Sequence, residues 1–278
     1  MVPPFGLQRH PPGGSFGPVW VGASPDIQMK KSGQRTEIIR EVSSISFIVP
    51  AWNEESVLGQ TIDAIKNSAR QLPLTSEVIV VDDSSTDQTA DIAVAHGARV
   101  VRVQHRQIAA TRNAGALQAH GDVLFFVDAD TLIGEAVVKA AIGSVQRGAV
   151  GGGCRFRFNG RIPLYARVLE TVTVRLYRFV GIAAGCFLFC TREAFESVNG
   201  FNPQLYAAEE GAMSLALRRQ GKFVILRESV TTPGRKLRTC SARKIFAPIV
   251  QIAFHGHRYL RNRHGMDIWY GDRRPDHS

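Results

Sequence analysis

Four short apolar runs, separated by helical stretches, constrain the fold of this chain more than any other feature of its sequence. The runs are rich in Val, Ile and Phe, which is typical of strands buried on both faces of a parallel sheet. The stretches between them place apolar residues on one helical face. The runs cover residues 46–50, 77–81, 98–103 and 123–127, and the helices cover residues 55–72, 86–96 and 109–120. This alternation predicts an α/β fold with a mostly parallel sheet flanked by helices.

The segments on either side of this pattern differ from it in composition. Residues 1–43 are rich in Pro, Gly and Ser and lack apolar periodicity, so we expect a disordered extension there. Residues 235–278 carry ten Lys or Arg against three Asp, which contributes +7 to the formal charge of +10. Residues 245–260 of this basic tail can share an apolar helical face, which predicts an amphipathic helix. One α/β domain is then expected at residues 44–234.

The composition argues against several classes of protein. No apolar run reaches the roughly eighteen residues that a membrane-spanning helix needs. The first residues lack the basic and apolar regions of a secretory signal, so we expect a cytoplasmic protein. The basic tail could lie on the anionic inner face of a membrane, or it could pack on the domain. The four cysteines show no paired spacing, which favours buried thiols over zinc ligands or disulfides.

Acidic residues directly follow three of the four apolar runs. Ligands bind at the carboxyl ends of the strands in open α/β sheets, so chemistry is expected at these positions. The acidic segments are residues 52–55 after the first run, 82–87 after the second and 128–130 after the fourth. Carboxylates should therefore gather at one edge of the sheet.

The Asp-x-Asp pattern at Asp128 and Asp130 is weak by itself, because acidic pairs commonly end strands or cap helices. The position of this pattern, directly after a predicted buried strand, strengthens the evidence for a functional site. In an extended segment the two carboxylates would project to the same side and could meet one hard cation. Such a cation, Mn²⁺ or Mg²⁺, would stabilise the charge of a departing nucleoside diphosphate. We predict a divalent metal site at this edge.

Asp82 and Asp83 admit two interpretations. They could cap a helix that begins near Thr86 by accepting hydrogen bonds from its first N–H groups. They could instead accept hydrogen bonds from the imide N–H of a uracil ring and the hydroxyls of a ribose. Helix capping does not require two adjacent carboxylates ahead of the serines, so we favour recognition of base and ribose.

Four segments together resemble the successive motifs of the family 2 glycosyltransferases. They are residues 46–55 (SFIVPAWNEE), 80–87 (VVDDSSTD), 110–115 (ATRNAG) and 126–130 (FVDAD). Residues 185–191, the turn at 199–201 and the Glu209-Glu210 pair are similar to the acceptor side of that family. The resemblance covers residues 44–226 and implies a GT-A fold, which is Rossmann-like with an acceptor-side C-terminal part. The Gln-x-x-Arg-Trp motif of processive members is absent, which implies a non-processive enzyme.

The resemblance also implies a role for individual residues. The binding site for the nucleotide-sugar would comprise Pro50, Ala51, Trp52, Glu54, Asp82, Asp83, Arg112, Asp128 and Ala129. In it, Asp83 or Asp82 would hold the base, and Arg112 would contact base or phosphate. Asp130 would be the principal metal ligand, with Asp128 holding the ribose or a metal-bound water. In members that invert the anomeric centre, the position of Glu210 takes the proton of the acceptor, which is sensible chemistry for a carboxylate near a hydroxyl.

Two departures from the family pattern concern the acceptor side. Glu210 stands where the pattern usually has Asp, so Glu209 could be the base instead. Both could also be the acidic start of a helix, because a helical pattern continues through Leu217. Asn199 replaces the usual first Gly of the turn, which is tolerable because Asn also adopts left-handed backbone conformations.

The implied partners are a UDP- or GDP-sugar donor and an acceptor that is a glycan, a lipid or a small molecule. A sugar nucleotidyltransferase is one competing interpretation, but it would need a Gly-rich, basic loop after the first strand. A basic binder of nucleic acid or membranes is another, motivated by the tail. We expect no nucleic-acid partner, because the acidic edge would repel phosphate unless a metal intervened.

Overall fold

The computed structural model of the chain describes residues 27–32, 35–160, 167, 171–175, 179–234 and 260–261. Its strands are β1 (Ile27–Ser32), β2 (Arg35–Arg40), β3 (Ser44–Ala51), β4 (Thr75–Asp83), β5 (Arg99–Val103), β6 (Val123–Val127), β7 (Ala149–Asn159), β8 (Phe187–Thr191) and β9 (Lys222–Pro233). Its helices are α1 (Leu58–Ala69), α2 (Thr89–Ala95), α3 (Ile108–Gln118), α4 (Glu135–Gln146), α5 (Arg192–Ser197) and α6 (Glu209–Gln220).

Seven strands form one mixed sheet in the order β5-β4-β3-β6-β8-β7-β9. The four strands predicted from the apolar runs are β3 to β6, and they are all parallel to one another. Strand β8 is antiparallel to both β6 and β7, while β9 runs parallel to β7. The predicted α/β fold with a mostly parallel sheet flanked by helices is confirmed.

Alternate residues of the central strands face two separate apolar clusters, one on each side of the sheet. Phe47 and Phe125 lie in the cluster under α1 and α4, with their ring centroids 4.9 Å apart. Ile48 and Phe126 lie in the cluster under α3 and α5. Because β3 and β6 are buried on both faces, their carboxyl ends are held rigidly and define the geometry of the loops that follow them.

Strand β7 was not predicted, because its first half is a run of glycines that carries no apolar signal. Glycine is required at these positions because atoms of neighbouring segments approach the strand closely. A Cβ atom on Gly152 would come within 2.3 Å of the Val224 carbonyl oxygen in β9, and one on Gly153 would come within 2.6 Å of the Ala183 Cβ. Close packing therefore selects residues that sequence patterns associate with loops.

The flanking segments differ partly from expectation. Residues 27–40, predicted to be disordered, contain the antiparallel pair of β1 and β2, in which each strand satisfies backbone groups of the other. The basic tail predicted at 235–278, with its amphipathic helix, lies outside the described residues except for 260–261. There, the Tyr206 N–H donates a hydrogen bond of 2.8 Å to the Leu260 carbonyl. Within the described part of the chain, no helix combines the length and apolar composition needed to cross a membrane.

Candidate active site

The loops after β3 and β4 are joined into one platform at the carboxyl edge of the sheet. The Asn53 side chain accepts a hydrogen bond of 2.8 Å from the Thr86 N–H, and the Asn53 N–H donates to the Ser85 hydroxyl at 3.0 Å. The Glu54 N–H donates to the Thr89 hydroxyl at 2.8 Å, and the Glu54 side chain is buried. These bonds fix the segment in which Pro50, Ala51 and Trp52 are predicted to line the nucleotide site.

The loop after β5 joins this platform through an aromatic contact. The Arg106 guanidinium carbon lies 3.6 Å from the centroid of the Trp52 ring system, which is the geometry of a cation–π stack. Both side chains are partly exposed. Arg106 was not identified from the sequence, because no local pattern indicates that a residue of this loop reaches Trp52.

The structure gives Asp83 a different role from the predicted contact with the base. Its carboxylate is buried and accepts hydrogen bonds from the N–H groups of His105, Arg106 and Gln107 and from the Thr111 hydroxyl, at 2.7–3.2 Å. With four donors on two oxygens, Asp83 holds the loop between β5 and α3. Asp82, the neighbouring residue that is also predicted to contact base or ribose, is equally buried.

Capping of the next helix does not explain Asp82 or Asp83 either. Helix α2 begins at Thr89 rather than near Thr86, and its first N–H groups are met by Asp87 and Glu55. Asp82 accepts one hydrogen bond, at 3.0 Å, from the Ser85 N–H. It lies beside Ala51 in the register of β3 and β4, at the centre of the platform.

Asp83→Ala should destabilise the fold by about 2–4 kcal/mol, because several donors lose their acceptor at once. The matched change Asp82→Ala removes one hydrogen bond and should cost about 1 kcal/mol. Urea unfolding of both variants measures the difference. Equal losses of stability, or an Asp83→Ala variant as stable as the wild type, would contradict the structural role of Asp83.

Asp128 and Asp130 lie in a turn and not in the extended segment that was predicted. Strand β6 ends at Val127, and the Thr131 N–H donates a hydrogen bond of 3.0 Å to the Asp128 carbonyl. A second bond of 3.2 Å, from the Asp128 N–H to the Cys186 carbonyl, anchors this acidic turn to the chain before β8. The turn keeps the two carboxylates at the sheet edge, with the buried Ala129 between them.

The acidic turn has the chemistry that Mn²⁺ or Mg²⁺ prefers, namely hard carboxylate oxygens. Over the described ranges, no cluster of three or more His, Cys, Asp or Glu side chains is arranged to hold an ion. Waters and the oxygens of a bound diphosphate would complete the coordination of such an ion, as is usual for Mg²⁺. The turn fits a metal that arrives with its nucleotide.

Arg112 is buried below the site, which differs from the predicted contact with base or phosphate. Its side chain is 1% exposed, and it pairs with Asp128 at 2.9 Å, Glu210 at 2.8 Å and Glu209 at 3.2 Å. It also donates a hydrogen bond of 3.0 Å to the Gly185 carbonyl. Burial alone would lower the pKa of Arg112, but the three carboxylates raise it above its ordinary value. Arg112 is thus a fixed positive charge that joins the acidic turn to α6.

Glu209 and Glu210 begin α6, as the helical pattern indicated, and they follow Ala208 in a left-handed conformation. Their environments differ. Burial, together with repulsion from Glu210, raises the pKa of Glu209 well above its ordinary value, although Arg112 opposes this shift. Burial would also raise the pKa of Glu210, but the charge and hydrogen bond of Arg112 outweigh it and hold that pKa below its ordinary value. The shared guanidinium therefore favours the ionised form of Glu210 more strongly than that of Glu209.

Glu210 is the more accessible member of the pair. Its side chain is 15% exposed, against 4% for Glu209. A Cβ atom on Gly185 would lie 2.8 Å from the Glu210 Oε1, so only glycine leaves room for the carboxylate in this position. The turn that precedes this region has the predicted backbone, with Asn199 at φ 59° and Gly200 at φ 70°.

Burial disfavours the thiolate form of the cysteines in this region. Cys154 and Cys190 are buried as expected, and burial raises the pKa of Cys154 to about 12. Cys186 is partly exposed, and its pKa is raised well above the ordinary value by burial and then by Cys154, Asp128 and Asp130. Cys240 lies outside the described residues.

The sheet order, the acidic turn after β6 and the carboxylate pair on α6 define a glycosyltransferase fold of the GT-A class. Residues 46–198 match the model of the family described as glycosyl transferase family 2. This match covers more than half of the chain, and the chain belongs to this family.

Individual relatives are similar over shorter stretches. The chain is 34% identical over 126 residues to the 4,4'-diaponeurosporenoate glycosyltransferase of Staphylococcus haemolyticus, which corresponds to 42% of this chain and 31% of that protein. The chain thus spans about a third of the length of the curated relatives it matches.

Solved structures of one protein are similar in fold. Glucosyl-3-phosphoglycerate synthase from Mycobacterium tuberculosis, in complex with Mn²⁺, UDP and glucosyl-3-phosphoglycerate, superimposes with a TM-score of 0.57 at 24% identity. That alignment covers 78% of this chain and 80% of the other. The complex of the synthase with Mn²⁺, UDP and phosphoglyceric acid aligns with a TM-score of 0.52 at 27% identity, over 68% and 69% of the two chains.

Proposed function

We propose that this protein transfers a sugar from a nucleoside-diphosphate sugar to a hydroxyl or phosphate oxygen of an acceptor, with inversion at the anomeric carbon. One observation carries the proposal: the buried guanidinium of Arg112 holds Asp128 at 2.9 Å on one side and Glu210 at 2.8 Å on the other. A carboxylate suited to the leaving diphosphate and a carboxylate suited to the attacking hydroxyl are thereby held in one rigid unit. Residues 44–234 are the catalytic domain in this proposal.

For the donor, we favour UDP-sugars over GDP-sugars. The similar synthase structures contain UDP together with Mn²⁺, which supports a uridine donor and a divalent ion at the equivalent edge. Asp130 would be the principal ligand of this ion, because it occupies the position of the metal ligand in the family motif, and Asp128 would hold the ribose or a metal-bound water. When bound, the ion would neutralise the charge that develops on the leaving diphosphate.

Glu210 is the general base in this mechanism. Its ionised carboxylate would accept the proton of an acceptor hydroxyl while the hydroxyl oxygen attacks the anomeric carbon from the face opposite the diphosphate. The bond between the anomeric carbon and the diphosphate oxygen breaks as the new glycosidic bond forms. Arg112 orients Glu210 and favours its ionised form by lowering its pKa, and Glu209 contacts the same guanidinium.

The acceptor side is formed by the chain that leads into α6. The hydrogen bond between Tyr206 and Leu260 brings part of the basic tail next to this segment, three residues before Glu209. We propose that the tail contributes to the acceptor site, where its positive charge would favour an anionic acceptor or an anionic membrane surface in the cytoplasm. Two relatives are named for anionic acceptors, diaponeurosporenoate and phosphoglycerate.

A thermal-shift panel of nucleotide-sugars with Mn²⁺ tests the donor assignment. At a hundred times its Kd, a ligand stabilises the folded state by about 2.7 kcal/mol. For a domain of this size, that should raise the Tm by roughly 5–10 °C. We expect UDP-sugars to give the largest shift, and GDP-sugars a smaller one. A shift with nucleoside triphosphates plus sugar phosphates, and none with any nucleotide-sugar, would contradict the transferase assignment.

A further inference from the structure

Two arginines of β7 lie on one face of the sheet, in the half of the strand that ends at the carboxyl edge. Cys154 and Phe156 of this strand pack into the apolar cluster under α1 and α4. Side chains alternate along a strand, so Arg155 and Arg157 lie on the opposite face, roughly 7 Å apart. Helix α6, which begins with the carboxylate pair, covers part of this same face.

The Arg155 side chain has a hydrogen-bond donor that the protein leaves unused. Its Nε atom is buried, and no acceptor reaches it among the residues that the structure describes. In that part of the chain, neither Arg155 nor Arg157 forms an ion pair. Arg155 as a whole is partly buried and Arg157 is exposed, so both are open to a ligand. A buried donor without an acceptor destabilises a fold, which points to a ligand that supplies the acceptor.

The segment that leads into β8 places Arg155 near the proposed base. A Cβ atom on Gly153 would come within 2.6 Å of the Ala183 Cβ, so this segment crosses the face of β7. Two residues after Ala183, Gly185 lies against the Glu210 carboxylate, and two residues after Gly153 comes Arg155. Strand β8 starts at the carboxyl edge, because it is antiparallel to β6 and β7. Arg155 and Glu210 therefore lie on one face of the sheet, each close to the same contact.

The acidic turn lies on the other side of the two arginines. Arg157 is opposite Thr231 of β9, and the backbone of Thr231 exchanges hydrogen bonds of 2.8 and 3.0 Å with Leu132. Leu132 follows Asp130 by two residues. Neighbouring strands are about 4.8 Å apart, so Arg157 lies about 10 Å from the backbone of Leu132. The two arginines are thus near the proposed metal turn as well as the proposed base.

We propose that Arg155 and Arg157 bind an oxyanion of the acceptor, a phosphate or a carboxylate group, while the attacking oxygen of the acceptor faces Glu210. This inference rests on the proposed function. A guanidinium presents a planar set of donors that fits the oxygens of phosphate and carboxylate. The buried Nε of Arg155 would gain its acceptor on binding, and two guanidinium groups roughly 7 Å apart can contact one oxyanion. The acceptor class is therefore a hydroxyl compound that carries a phosphate or carboxylate group close to the hydroxyl.

The first test titrates glycerol 3-phosphate into the full chain in the presence of UDP and Mn²⁺, with glycerol as its uncharged counterpart. Arg155→Met keeps the length of the side chain but removes its donors, and Arg157→Gln removes the second guanidinium. Loss of a charge-assisted hydrogen bond to a ligand lowers affinity about ten- to a hundredfold. We expect this loss for glycerol 3-phosphate in both variants, with no binding of glycerol to any of the proteins. The affinity for UDP should stay within about twofold of the wild type.

Stability distinguishes a binding role of Arg155 from a structural one. The Tm of Arg155→Met should equal or exceed that of the wild type, because the variant removes a buried donor that has no acceptor. A structural arginine would give a lower Tm. The charge control is Arg147→Gln, which removes one positive charge from an exposed residue at the end of α4, on the opposite face of the sheet. It should bind every probe as the wild type does.

Vesicles distinguish a lipid head group from a soluble acceptor as the source of the oxyanion. Sedimentation of the same proteins with phosphatidylcholine vesicles, with and without phosphatidic acid, measures binding to the lipid phosphate. A requirement for Arg155 with these vesicles alone would assign the oxyanion to a lipid, and one with glycerol 3-phosphate alone would assign it to a soluble acceptor. Either result supports the proposal.

Three results would overturn the proposal. Both variants could bind glycerol 3-phosphate and the vesicles as the wild type does, or the wild type could bind neither probe. The affinity for UDP could also fall by the same factor as that for glycerol 3-phosphate, because the arginines would then act on the donor. If the wild type binds UDP and the variants behave like it, only this inference fails. If the wild type binds neither UDP nor GDP, the proposed function fails, and the acceptor assignment fails with it.

Discussion

Glu210→Gln should lower turnover by about a hundred- to ten-thousand-fold, while the affinity for the donor stays close to that of the wild type. Glutamine preserves the size of the side chain and can still accept a hydrogen bond from Arg112, which lies 2.8 Å away. It cannot take a proton from an acceptor hydroxyl. Single-turnover kinetics with a UDP-sugar, measured as transfer or as slow hydrolysis, would report the loss, and calorimetry would report donor affinity.

Glu209→Gln is the matched control for this prediction. Burial and the neighbouring Glu210 raise the pKa of Glu209 and so disfavour its charge, which means that a neutral amide of the same shape should change little. We expect Glu209→Gln to retain turnover within about tenfold of the wild type, since it removes no group that transfers a proton. A dead Glu209→Gln with a nearly normal Glu210→Gln would move the base by one residue. Normal turnover in both variants would mean that neither carboxylate is the base.

The central fold was predictable because its signal is local and repeated. Strands β3, β4 and β6 are buried on both faces along their apolar runs, so each run is short and ends where a loop begins. The predicted ends of the helices and strands were less accurate. Helix α2 begins at Thr89 and not at Thr86, because the N–H groups of Thr86 and Gln88 donate to the side chains of Asn53 and Glu55 instead of continuing the helix. Such bonds depend on a neighbouring loop, which the local sequence does not describe.

The sequence predicted which residues belong to the site, but not which contacts each of them makes. The order of the family motifs placed Arg112, Asp128 and the Glu209-Glu210 pair in one predicted site. In the structure, Arg112 pairs with the other three side chains. The role of each residue could not be predicted, because it depends on which side chains contact one another in the folded protein. Arg112 is buried and pairs with three carboxylates, whereas Asp83 accepts hydrogen bonds from the N–H groups of a loop. Both roles are set by contacts between residues 16 to 98 positions apart.

Nucleotide binding should depend on a divalent ion that is held by Asp130. Asp130→Asn removes the carboxylate proposed as the principal ligand, so the diphosphate charge should be poorly neutralised. Losing even an indirect contact to a metal ligand typically costs ten- to a hundredfold in metal affinity, so a direct ligand should cost roughly a hundredfold or more. Asp91→Asn removes the same charge from the exposed surface of α2 and serves as the control.

The measurement is calorimetric titration of UDP into the wild type, Asp130→Asn and Asp91→Asn, each with and without Mn²⁺. We predict that Mn²⁺ strengthens UDP binding at least about tenfold in the wild type and in Asp91→Asn, and has almost no effect in Asp130→Asn. UDP affinity that is the same with and without Mn²⁺ in the wild type would contradict a metal-dependent nucleotide site at the acidic turn. An Asp130→Asn variant that keeps the full effect of Mn²⁺ would contradict the assignment of Asp130.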